Sequence, residues 1–192
     1  MQDEELTKKY NSLYLEIIMR YKDEIEKGET VYVADLPKLV TPADEAVVAA
    51  VKNITSSYPA YIFDENFLAA AQQAQEYVKD KIATVSSPIQ FWLKPNQVIS
   101  LQAGDSFDKA ILLCSMLIAL GNPSTKIITS IKDNERKHLI YFEYQNELLC
   151  IDLERGMDKV NSKEELFKRI GVNKETEMVA YEFNDKMYNN LL

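Results

Sequence analysis

The chain has little of what metal and phosphate chemistry needs. Its 192 residues include one histidine, two cysteines and five glycines. No cluster therefore has zinc-ligand spacing, and neither the Gly-x-x-x-x-Gly-Lys nor the Gly-x-Gly-x-x-Gly loop is present. No metal and no other cofactor is expected. Long hydrophobic runs are missing too: the N-terminus, Met1-Gln2-Asp3-Glu4-Glu5, is acidic, and the residues after it form neither a signal peptide nor a transmembrane helix. Basic residues are in deficit, 22 Lys and Arg against 30 Asp and Glu, for a net charge of −8. Phosphate contacts need clustered cations, so nucleic acid and anionic membranes are disfavoured as partners. The expectation is a cytoplasmic protein of one domain, 1–192, able to bury a core without metal or disulfide. Oligomeric state is left open. Cys114 and Cys150 both sit in apolar runs, where a thiol is expected to be buried, free and a poor nucleophile.

What is there divides into a helical portion, 1–83, and a mixed portion, 84–192. A 3-4-3 apolar spacing from about Glu4 to Lys27 (Leu6, Tyr10, Leu13, Tyr14, Ile17, Ile18, Tyr21) predicts a first helix, stopped by Gly28. Thr41-Pro42 is a helix start for a short alanine-rich helix to about Val51. A third helix is predicted from about Asp64 to Ile82, with Phe67, Leu68, Ala71, Ala74, Tyr77 and Val78 on its apolar side. Pro88, Trp92 and Pro95 suggest an extended or irregular segment over 89–103. From about Ser106 to Leu120 the chain is apolar nearly all round, which predicts a central buried helix ended by Gly121-Asn122-Pro123. Strands are predicted at 126–131, 137–144 and 147–153, with a tight turn at Gln145-Asn146. A short helix opening at Asn161-Ser162 and a last strand near 177–183 complete an α+β chain.

Three residues stand out. Ser106 opens the central helix, where the helix dipole and free backbone N–H groups favour an anion such as a thiolate or developing oxyanion. His138 lies in a strand-like run, placed to accept a nucleophile's proton, and Asp152 ends the next run, placed to orient that histidine. A plainer reading stands beside this one. Asp105 or Ser106 is also an ordinary N-cap, a lone histidine is often a surface residue, and Asp152 could simply begin the turn before Gly156.

The run from Phe91-Trp92-Leu93-Lys94-Pro95, through Gly104-Asp105-Ser106-Phe107-Asp108-Lys109-Ala110, to Leu117-Ile118-Ala119-Leu120-Gly121 resembles the transglutaminase-like superfamily of papain-fold proteins. Lys137-His138 before an apolar strand and Ile151-Asp152 extend the resemblance over roughly Ile89 to Gly156. It implies a papain-like core, a central helix packed on an antiparallel sheet, with a helical N-terminal part. It also implies a triad of position 106, His138 and Asp152, acting in cysteine-type acyl transfer on peptide or protein amides: proteolysis, deamidation or cross-linking. The second oxyanion donor is expected from the segment before the nucleophile, with Trp92, or Gln90 or Gln102, as candidates. The partner implied is a protein or peptide.

Two positions depart from the family pattern. Lys137 stands where a glycine usually precedes the histidine, and Ser106 stands where the catalytic cysteine belongs. A hydroxyl is far less acidic than a thiol, so a site built to form a thiolate does not readily activate serine. Most activity is therefore expected to be lost. Three accounts of Ser106 stay open: an engineered replacement, a natural pseudoenzyme, and a working serine variant. The alternative function is a non-catalytic module that binds a protein or peptide.

Overall fold

The computed structural model describes residues 33–85, 92–133, 135–172 and 178–191, together with Tyr14, Leu15, Ile18, Met19 and Lys22. The helix expected over Glu4 to Lys27 otherwise lies outside the described residues. Of its apolar stripe, Tyr14 and Ile18 are exposed.

A 3-10 helix at Val33–Leu39 leads into α1 (Glu45–Thr55). This helix starts later than Thr41-Pro42 suggests, because Asp44 provides the cap, its side chain accepting from the Ala46 N–H at 2.9 Å. Thr41 instead donates its backbone N–H to Ser115 Oγ, in the central helix. α2 (Phe63–Lys81) buries Phe67, Ala70, Ala71, Ala74 and Val78, whereas Leu68, expected on that face, is exposed. Position 68 follows Phe67 directly, about 100° round the helix, so the narrow alanine-lined stripe turns it outward.

The expectation of irregular chain over 89–103 needs correcting. Pro95–Leu101 forms a helix, α3, whose proline occupies the first turn. That position needs no N–H and welcomes a fixed φ, so Pro95 starts a helix here rather than breaking one. Short parallel strands flank it, β1 (Ala83–Thr84) pairing with β2 (Ala103–Gly104).

α4 (Ser106–Ala119) is the central helix, with every residue from Phe107 to Leu117 buried. Its neighbours are α1, α2 and α3 on one side and a six-stranded sheet on the other. The strands are β3 (Lys126–Lys132), β4 (Glu135–Tyr144), β5 (Glu147–Asp152), β6 (Gly156–Val160), β7 (Val179–Phe183) and β8 (Tyr188–Asn190). Their order is β6-β5-β4-β3-β7-β8, all pairs antiparallel. The β4–β5 turn has positive φ at both Gln145 (51°) and Asn146 (63°), the backbone that matches strand twist in a two-residue hairpin.

The sheet separates two apolar layers, as period-2 alternation requires. Ile127, Ile140, Phe142, Ile151 and Phe183 face α4. Ile128, Leu139, Tyr141, Cys150 and Val160 face α5 (Lys163–Arg169), whose Leu166 is fully buried. Both cysteines are free and buried, as expected.

Candidate active site

The first turn of α4 is held from three directions. Asp105 caps it, its Oδ1 accepting from the N–H groups of Phe107 and Asp108, both at 2.8 Å. Asp108 answers with Oδ2, which accepts from the Asp105 N–H at 3.1 Å, a reciprocal capping arrangement. The other oxygen of Asp108 accepts from the Leu93 N–H at 2.9 Å, so the segment carrying Trp92 is tied to the helix. Lys109 is buried and donates from Nζ to the Ile82 carbonyl at 2.9 Å and to Thr84 Oγ1 at 3.0 Å, anchoring β1. Gly104 packs so tightly that a Cβ there would meet the Asp108 side chain at 3.0 Å.

Burial, and then the neighbouring Asp105 carboxylate, push the Asp108 pKa up to about 7. Burial also draws the Lys109 amine below the usual lysine value. These two charged-type residues hold backbone in place; Ser106 itself is exposed at the head of the helix.

His138 reaches the same end of α4 from β4. Its ring lies 4.9 Å, centroid to centroid, from that of Phe107, the residue after Ser106. Phe107 in turn meets Trp92 at 5.8 Å and Phe183 at 5.9 Å. Inside this aromatic wall the imidazole is desolvated. Burial first, and the Arg136 charge second, lower its pKa to about 4, so the ring is neutral at physiological pH. Nε2 is buried and has no hydrogen-bond partner among the described residues. Nδ1 lies 3.0 Å from Thr129 Oγ1 on the adjacent strand β3.

Asp152 sits elsewhere. Its Oδ1 accepts from the N–H groups of Glu154 (2.9 Å) and Arg155 (3.2 Å), closing the turn into β6. Its carbonyl accepts from Gln75 Nε2 of α2 at 3.2 Å. The register explains the separation. Ile140 pairs with Ile151, so one step outward sets Asp152 across from Leu139, on the α5 face, while His138 shares the α4 face with Ile140. Thus His138 stands beside the helix turn opened by Ser106, and Asp152 is bonded into its own turn.

Of the proposed oxyanion donors, Trp92 is half-buried against Phe107. Gln102 is exposed at the end of α3, with φ 52°, and its carbonyl accepts from the Ala83 N–H. Gln90 lies outside the described residues. Sequence reading gave Thr129 no role. Nothing local marks it; only the register Thr129↔His138 brings it to the imidazole.

No family model matches the chain, and no curated protein matches it. Solved structures do. LapG of Legionella pneumophila in its EGTA-treated form is similar at 17% identity, with a TM-score of 0.50, over 84% of this chain and 86% of that one. The calcium-bound form of LapG gives 17% identity and a TM-score of 0.47 over 75% of this chain and 87% of that one. The chain has the transglutaminase-like, papain-like fold. At such identity the likeness concerns the fold alone, and the chemistry must be argued from the residues. Among the described residues no helix is long and apolar enough to cross a membrane.

Proposed function

We propose that this transglutaminase-like chain carries a cysteine-type acyl-transfer centre for peptide or protein amides, with position 106 as nucleophile and His138 as base. Ser106 leaves it weakly active or inactive as it stands. The observation that carries this reading is the Nε2 of a neutral His138, buried and without a partner among the described residues, beside the first turn of α4. A neutral imidazole with a free ring nitrogen is what a general base requires. At the helix N-terminus the Phe107 and Asp108 amides are taken by the Asp105 cap, so the oxyanion donor this reading calls on is the backbone N–H of position 106 itself. In the expected triad Asp152 is the orienting acid; that role requires its carboxylate to leave the Glu154 and Arg155 amides.

The serine favours a second reading, a pseudoenzyme that binds a protein or peptide without cleaving it. One experiment separates the two. In Ser106→Cys the new thiol is expected to react rapidly with iodoacetamide at neutral pH, and adding His138→Ala is expected to slow it to the rate of an ordinary thiol. The native thiols do not confuse the measurement, because both are buried and burial raises their pKa values. A slow, ordinary thiol in Ser106→Cys itself would reject the catalytic reading and leave the binding module.

A further inference from the structure

We propose that Thr129, and not Asp152, is the positioning residue of His138, holding the imidazole as the Nδ1–H tautomer with its Nε2 lone pair directed to the α4 end of the sheet. The assignment deepens the proposed catalytic function, since it concerns the base which that function requires.

The geometry comes from one row of the sheet. Register sets His138 of β4 opposite Thr129 of β3, and Thr129 opposite Tyr181 of β7. Cross-strand partners share a face, so the three side chains line up beneath α4. Thr129 is fully buried, and its hydroxyl lies 3.0 Å from Nδ1. A threonine hydroxyl both donates and accepts, so this contact is met by either ring tautomer, and the second ring nitrogen, Nε2, decides between them.

Nε2 is buried without a hydrogen-bond partner among the described residues, so the ring proton is placed on Nδ1, where the Thr129 oxygen can accept it. A buried Nε2–H would be an unsatisfied donor, and a buried lone pair is the smaller cost. The carboxylate that usually fixes such a tautomer is bonded to backbone amides on the other face of the sheet. A hydroxyl can fix orientation as a carboxylate does, but it offers no negative charge to stabilise imidazolium, which agrees with a ring held neutral.

His138 is the only histidine, so nitrogen-15 spectra of histidine-labelled protein at neutral pH report its tautomer without assignment. The unaltered chain is expected to show the Nδ1–H form. Thr129→Ser is expected to keep it, Thr129→Val to lose its dominance, and Asp152→Asn to leave it unchanged. An Nε2–H spectrum in the unaltered chain overturns the proposal without any variant having to fold. So does a tautomer that survives Thr129→Val, or one that collapses in Asp152→Asn. The alkylation of Ser106→Cys tests the base itself, so the two readings can fail separately. With Thr129→Val added, its pH profile is expected to shift, and Thr129→Ser to restore it.

Discussion

The Leu93 amide donates to Asp108 Oδ1 at 2.9 Å, joining the segment that carries Trp92 to the helix that carries position 106. Asp108 thus serves two amides at once, Leu93 through one oxygen and Asp105 through the other. An aspartate at a helix start is commonplace; one that also fixes a preceding loop sets the distance between position 106 and that loop.

Replacing Asp108 with alanine orphans both buried or half-buried amides, at about 1–3 kcal/mol for each group left without a partner. Asparagine keeps the Leu93 bond but turns an NH2 group on the Asp105 N–H, so Asp108→Asn is expected to lose roughly half as much. Urea unfolding of the two variants beside the unaltered chain checks the order. Equal stability of all three would remove Asp108 from this role.

Stability should also vary with pH in two opposing ways. Asp108 is raised from 3.8 to about 7, so its favourable contribution is complete below about 3.8 and fades as pH rises through about 7. His138 is lowered from 6.5 to about 4, so its contribution is complete above about 6.5 and fades as pH falls through about 4. Between about 4 and 6.5 the two slopes oppose each other. Asp108→Asn is therefore expected to show stability that rises with pH across that window more steeply than in the unaltered chain. A flat difference between the two profiles would contradict the raised pKa.

Phe107 walls the imidazole. It is 2% exposed and touches Trp92, His138 and Phe183. Phe107→Ala is expected to cost about 3–5 kcal/mol and, by admitting water, to move the His138 titration from about 4 towards 6.5. The ring signals of the sole histidine follow this directly; an unmoved midpoint in a folded variant would show that burial by Phe107 is not the cause.

Lys109→Met keeps much of the side-chain length and removes the ammonium that joins Ile82 and Thr84 to α4. A loss of about 1–3 kcal/mol is expected from the orphaned Ile82 carbonyl. Because Ala83 N–H donates to the Gln102 carbonyl at 2.8 Å and Val85 N–H to the Gly104 carbonyl at 3.0 Å, amide exchange at 83 and 85 should accelerate ahead of that in the six-stranded sheet. Uniform acceleration everywhere would mean that β1 is not separately anchored.

Local patterns carried the main elements. A run apolar on every side has one stable place, the interior, so α4 could be read directly from Phe107 to Leu117. Strand alternation and the Gln145-Asn146 turn gave β4 and β5 nearly to the residue. Local rules misled where two answers were open: Pro95 can end a segment or begin a helix, Thr41 and Asp44 are both capping residues, and Leu68 borders an apolar stripe without belonging to it. Strands β6 and β8, at five and three residues, were too short to show an alternation.

Local pattern was enough to read an α+β chain around one apolar helix headed by Gly104-Asp105-Ser106, with one histidine on a strand. Periodicity and capping are local, and a few neighbouring residues suffice to state them. Tertiary structure alone decided which side chain meets that histidine. Strand pairing joins residues far apart in the chain, and a shift of one residue moves a side chain to the opposite face. So Asp152, one residue beyond Ile151, falls on the α5 side and bonds its own turn, while Thr129, unmarked in the sequence, lies against the imidazole of His138.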